Sequence, residues 1–189
     1  MKRLVIIAMA VLMSCATKAQ PHFEGAIGFS GVTGQYPGTG AWIGGSAGFG
    51  YRFGLSSVVS FDPMIQLIWQ GEKSYGGVYA RVPALFSYNL YLVELSAGPY
   101  ISYGLWDEKN EPRYYDAPSN GESWPIYHES AFGYFNRLDV GVLARVCYHF
   151  PKYYLGVCGS YGLCDISRDD LGQVSSHMLN ASLVIGFEF

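Results

Sequence analysis

Charge is what this sequence has least of. Only 14% of its 189 residues are Asp, Glu, Lys or Arg, against about 25% in an ordinary soluble domain, so a water-facing surface of the usual kind is hard to build from it. Lysine is scarcest where such a surface would need it: after the first twenty residues only Lys73, Lys109 and Lys152 occur, all in loop or turn sequence. The four cysteines contain no Cys-x-x-Cys pair, and no Cys and His fall at zinc-ligand spacing, which argues against a metal site. Long apolar runs are missing too. The longest, Leu4–Met13, has ten residues, half of the roughly 20 that a membrane-spanning helix needs.

That run follows Lys2 and Arg3 and precedes small residues, the order of an export signal. Thr17-Lys18-Ala19 before Gln20 is a suitable cleavage site, so residues 1–19 are expected to be a signal peptide and 20–189 the mature domain. The alternative is lipoprotein processing, because Leu12-Met13-Ser14-Cys15 has the form of a lipobox with Cys15 as the acylated residue. Cleavage after Ala19 removes three of twelve basic residues and leaves nine against fifteen acidic ones, a net charge of −6. Such a balance argues against nucleic acid as a partner.

What the sequence does have is alternation. Half of it is hydrophobic, with 24 glycines and 16 tyrosines, and period-two patterning recurs eight times. The strands are expected at about 22–32, 42–53, 58–70, 78–88, 91–105, 138–150, 153–165 and 179–189. In the last, Leu179, Ala181, Leu183, Ile185, Phe187 and Phe189 alternate with Asn180, Ser182, Val184, Gly186 and Glu188. The links "GLSS", "NL" and "PK" are tight, whereas Gly31–Ala41, Gly71–Gly77, Trp106–Tyr134 and Ile166–Ser175 are longer. Short turns on one side and long loops on the other are the layout of an outer-membrane barrel. The expected fold is therefore all-β, an eight-stranded antiparallel up-and-down transmembrane β-barrel in the cell outer membrane.

A soluble lipocalin-like barrel would place the same faces the other way round, apolar inside. Its outer face would then carry the lysines that these strands lack. The polar face instead carries Glu24, Asp62, Glu94, Asp139 and Glu188 beside Arg52, Arg81, Arg137 and Arg145, among small residues. Five acids and four arginines suit a narrow lumen in which charges form one paired network. Tyr51, Tyr88, Tyr148, Phe150, Tyr153 and Phe189 fall at the short-turn ends, and Trp69, Tyr103 and Trp106 at the long-loop ends, as two interfacial girdles.

The segments "YARVPALFSYNLYLVELSAGPYISYGLW", "FNRLDVGVLARVCYHFPKYYLGVCGSYGLCDIS" and "LVIGFEF" together resemble the PorT-type outer membrane protein beta-barrel group of Gram-negative bacteria. Pro83 and Gly98-Pro99-Tyr100 are the more specific elements. Proline inside a strand forfeits a ladder hydrogen bond, so Pro83 and Pro99 are expected to mark bulges or bends. The resemblance implies an outer-membrane barrel without fixing an activity, since some members serve secretion or gliding machinery.

No catalytic constellation stands out, and neither enzyme activity nor a cofactor is expected. His128-Glu129-Ser130 lies mid-loop among prolines, whereas the His-x-Ser pair of lipid A deacylases lies on a barrel strand. "GTGAWIGGSAGFG" does not join a strand to a helix and is no phosphate loop. A passive pore is disfavoured because eight strands leave only room for side chains; porin-like transport of small solutes stays as an alternative. The expected partners are the lipid bilayer, the barrel-assembly machinery reading the terminal Phe189, and a protein or glycan at the longest loop. That loop, 107–133, exceeds the usual connection of about 4–6 residues several-fold and carries Tyr114, Tyr115, Trp124, Tyr127 and Phe132 as candidate contacts; the alternative is a loop that folds over the barrel mouth as a cap. Cys147 and Cys158 flank the Pro151-Lys152 turn and could form a cross-strand disulfide; the alternative is two free, buried thiols.

Overall fold

The computed structural model describes residues 19–33, 41–72, 75–107, 113–116, 123–126, 132, 136–167 and 175–189. The strands are β1 (Ala19–Thr33), β2 (Trp42–Gly54), β3 (Val59–Glu72), β4 (Tyr75–Leu90), β5 (Val93–Asp107), β6 (Arg113–Asp116), β7 (Ser123–Ile126), β8 (Leu138–His149), β9 (Tyr153–Gly162) and β10 (His177–Glu188). Eight of them close into an antiparallel barrel in the order β1-β10-β9-β8-β5-β4-β3-β2, while β6 and β7 pair only with each other. Each barrel strand neighbours the next in sequence and β10 returns to β1, so the expected up-and-down barrel is the observed one.

Alternation sets which side chains face out. On β10 the odd-numbered residues from Leu179 on are exposed and the even ones mostly buried, and the same holds around the wall: Ile65 is 69% exposed, Leu183 65% and Phe29 64%. Fully apolar side chains left this open all round a barrel cannot be a water-facing surface. They form a wall that belongs in hydrocarbon. Strands of 10 to 16 residues match or exceed the roughly 9–11 that cross a bilayer obliquely, so the ends of the longer ones project. Aromatic rings band the short-turn end, where Phe150 stacks on Tyr153 at 4.5 Å and meets Tyr148 at 5.0 Å.

Several boundaries differ from those read in the sequence. Gly71–Gly77 is not a long loop: β3 and β4 run on through those glycines, paired as Gly71 with Gly76 and Glu72 with Tyr75. The glycine density that reads as a loop here thins an extended strand face instead. Pro83 and Pro99 do not shift the ladder, which keeps one register from Pro83–Tyr100 to Phe86–Ala97; the irregularity lies between Val78 and Tyr79, where Leu105 is the extra residue. β9 ends at Gly162 rather than 165, because Leu163 and Cys164 donate their N–H groups back to Val140.

Candidate functional site: the lumen and its mouth

Inward positions from strands far apart in sequence meet in the short-turn half of the lumen. Arg145 of β8 is the centre. One of its terminal nitrogens donates to Glu24 Oε2, and the other donates to Asp62 Oδ2 at 2.8 Å and Glu94 Oε1 at 3.1 Å. Arg52 lies beside it, donating to Glu188 and standing 3.0 Å from Glu94 Oε2 and 3.6 Å from Asp62. The carboxylates have neutral donors as well: Tyr154 and Gln66 to Glu24 at 2.9 and 3.1 Å, and Ser96 to Glu94 at 2.9 Å. Asp62 and Glu94 are fully buried. Charges this deep persist only when paired, and here two guanidiniums knit four carboxylates from β1, β3, β5 and β10 into one ionic layer.

Two histidines complete this layer; the alternation puts His149 on the polar face at a strand end, and only His22 was not singled out in the sequence. His22 is buried with Nε2 3.3 Å from Asp62 Oδ1, and His149 lies between Glu94 and Glu188. The signal was present, since His22 shares the inward parity of Glu24.

The expected single network is in fact two clusters. Arg81 makes no ion pair among the described residues; it donates to Gln70 Oε1 at 2.6 Å and Ser160 at 3.3 Å, with its guanidinium 4.2 Å from the Tyr100 ring centroid. Tyr100 in turn donates to Asp139 at 2.8 Å. Arg137 belongs to neither cluster. It precedes the first residue of β8, is exposed, and lies over the Phe132 ring at 4.7 Å. The polar face also holds apolar members: Leu85, Leu143 and Tyr100 pack together at mid-lumen. An enclosed space of about 20 Å³ lined by Glu24, Gln66, Arg81 and Ser160 has room for about one water.

The long-loop end of the lumen holds an apolar plug of Ile68, Tyr79, Phe132, Ile166 and Met178, with Val32 against it. Phe132 comes from the longest connection and is one of its candidate contacts, exposed unless the loop caps the mouth. It is buried instead, edge-on to Tyr79 at 5.5 Å, with its N–H donated to Asp107 Oδ2 at 3.0 Å. The seat is Gly104, where any Cβ would overlap the Phe132 ring. Ile166 is fixed from the next connection. Asp165 accepts from the Ser167 hydroxyl at 2.6 Å and from the N–H groups of Ser167 and Ser176 at 2.9 and 3.0 Å, which holds its carboxyl below the usual range. Asn136 N–H then bonds the Ile166 carbonyl at 2.7 Å, tying the third long connection to the fourth.

Tyr114, Tyr115 and Trp124 fall on β6 and β7, with Tyr115 opposite Trp124; Tyr127 and His128-Glu129-Ser130 lie outside the described residues. Cys147 and Cys158 are free thiols. The tight turn fixes the reason: Phe150 N–H bonds Tyr153, so the register counts back to Cys147 opposite Gly156 and Arg145 opposite Cys158. The two sulfurs sit two positions out of step. Phe189 is exposed just past β10, its N–H on the Pro21 carbonyl at 3.2 Å across the β1–β10 seam. Among the described residues no set of His, Cys, Asp and Glu is placed to hold a metal ion.

No protein-family model matches the chain, and no curated protein sequence is similar to it. Solved structures do share the fold. Neisserial surface protein A superposes with a TM-score of 0.52 at 12% identity, covering 90% of this chain and 99% of that one. Ail, the attachment invasion locus protein of Yersinia pestis, gives a TM-score of 0.51 at 13% identity over 90% of this chain and 97% of its own. At such identities the likeness is one of fold.

Proposed function

We propose that this chain is an outer-membrane anchor that presents its long connections, the third above all, to a protein or glycan partner. The observation that carries this reading is a lumen filled at both ends, by the ionic layer below and the apolar plug above. A filled lumen disfavours solute transport and leaves the long-loop surface as the place for function. The third connection also carries the β6–β7 hairpin, and Phe132 and Asn136 fasten it at the mouth. The resemblance to the PorT-type group supports a role beside secretion or envelope machinery. Delivery to the membrane by the barrel-assembly machinery, with Phe189 as the terminal recognition residue, belongs to the same reading.

Replacing residues 108–131 by a short Gly/Ser turn tests it, because Asp107, Phe132 and the plug stay in place. The variant is expected to remain a heat-modifiable barrel in the membrane fraction and to lose partner capture in a crosslinking pull-down. Undiminished capture would move the function to the wall or the other connections.

A further inference from the structure

At the short-turn rim, His149 is the last residue of β8, with its N–H on the Leu92 carbonyl of the neighbouring turn at 2.8 Å. Its two ring nitrogens face two different carboxylates: Nε2 lies 3.2 Å from Glu94 Oε2 and Nδ1 3.6 Å from Glu188 Oε1. A neutral imidazole has one N–H and one lone pair, so either tautomer would aim a lone pair at a carboxylate. Only the imidazolium turns an N–H, and a positive charge, toward both, as ion pairs at 3.2 and 3.6 Å. Arg52 serves the same two acids from β2, which makes a closed ring of alternating charge, Arg52, Glu94, His149 and Glu188. The other group against the ring is Tyr154 of β9, 5.2 Å away between centroids.

We propose that His149 is a proton-dependent lock between two strands: as imidazolium it joins Glu94 of β5 to Glu188 of β10, and on losing a proton it gives up one of the two. Without the proton, one of the two acids faces a ring lone pair: Glu188 then has Arg52 for a cation, and the fully buried Glu94 has Arg52 and Arg145, so the repulsion falls where desolvation makes it costly. Protons can reach the lock, since the side chains of His149 and Glu188 are 19% and 24% exposed, whereas Arg145 behind them is sealed. On its β1 side the end of β10 is paired as far as His22–Glu188. On the β9 side the ladder stops at Phe187–Tyr153, leaving the N–H bond of Glu188 to Lys152 at 3.1 Å, and it is this side that the lock fastens. His22 is not such a lock, because its one acidic contact, Asp62, is met by a neutral ring with Nε2–H.

The sign follows from linkage. A proton held more tightly by the folded barrel than by the unfolded chain contributes stability that is complete below the unfolded imidazole value, about pH 6.5, and is lost as pH rises through the folded one, by up to tenfold in the unfolding constant per pH unit. The test uses the full chain in phosphatidylcholine vesicles. Nitrogen-15 spectra of the histidine rings at pH 6.5 are expected to find both His149 nitrogens protonated, and the unfolding midpoint should be level below that pH and fall above it. His149→Gln should flatten this dependence, while His22→Gln should keep it. A neutral His149 ring at pH 6.5, or the same pH dependence in wild type and His149→Gln, would overturn the proposal. The spectra decide on the wild-type protein alone if His149→Gln does not assemble.

Discussion

Arg145→Met is expected to destabilise the barrel by about 3–5 kcal/mol, the usual cost of taking one partner out of a buried ion pair, and so to raise the unfolded fraction by roughly two to nearly four orders of magnitude. The reason is what it leaves behind. Glu24 keeps only Tyr154 and Gln66, Asp62 keeps Arg52 at 3.6 Å and His22, and the site is closed to water. Methionine fills much of the volume, so the loss is electrostatic rather than a cavity. Urea unfolding in vesicles measures it. Lys152→Ala, in the exposed β8–β9 turn, should stay within about 0.5 kcal/mol of wild type. Adding Glu24→Gln and Asp62→Asn to Arg145→Met should recover part of the loss, because the orphaned charges are then gone. Equal midpoints for Arg145→Met and Lys152→Ala would contradict a paired lumen.

Phe132→Ala is expected to detach the third long connection without opening the barrel. Phe132 packs on Tyr79 and under Arg137, and it is the buried foothold of that connection at the mouth. Truncating a buried phenylalanine costs about 3–5 kcal/mol. Here the loss falls on a local opening rather than on global unfolding, so the connection should open a hundredfold or more often. Limited proteolysis reads this directly: cleavage between Asp107 and Asn136 should accelerate by that factor while the heat-modifiable barrel band persists. Gly104→Val, which denies the ring its seat, should have the same effect. Unchanged cleavage in both variants would mean that Phe132 does not fasten the connection.

The wall of this protein could be read from the sequence because it depends on period two alone. Once the parity of Leu183 or Val142 is known, every neighbour on the strand follows. The lumen is different, since its contacts join residues as far apart as Glu24 and Arg145, and no local pattern tells which acid meets which arginine. Arg137 shares the parity of Asp139 and Arg145, yet β8 begins one residue later, and the side chain turns to Phe132 instead. Phe132 itself looked like a loop aromatic, because the vacancy at Gly104 that receives it is a property of the closed barrel. His149 could be placed at a strand end but not between two acids, since Glu94 and Glu188 reach it only through closure. The disulfide between Cys147 and Cys158 fails on register, which the two-residue turn at Pro151-Lys152 decides.

Whether the apolar wall lies in lipid is tested most directly by the fluorescence of Trp69, which is outward-facing and 44% exposed. With Trp42, Trp106 and Trp124 changed to Phe, Trp69 is the single emitter in the chain. In vesicles of chain-brominated phosphatidylcholine its emission should be strongly quenched, while acrylamide added to the water should have little effect. Strong quenching by acrylamide with none from the brominated chains would place this face in water and contradict the membrane barrel.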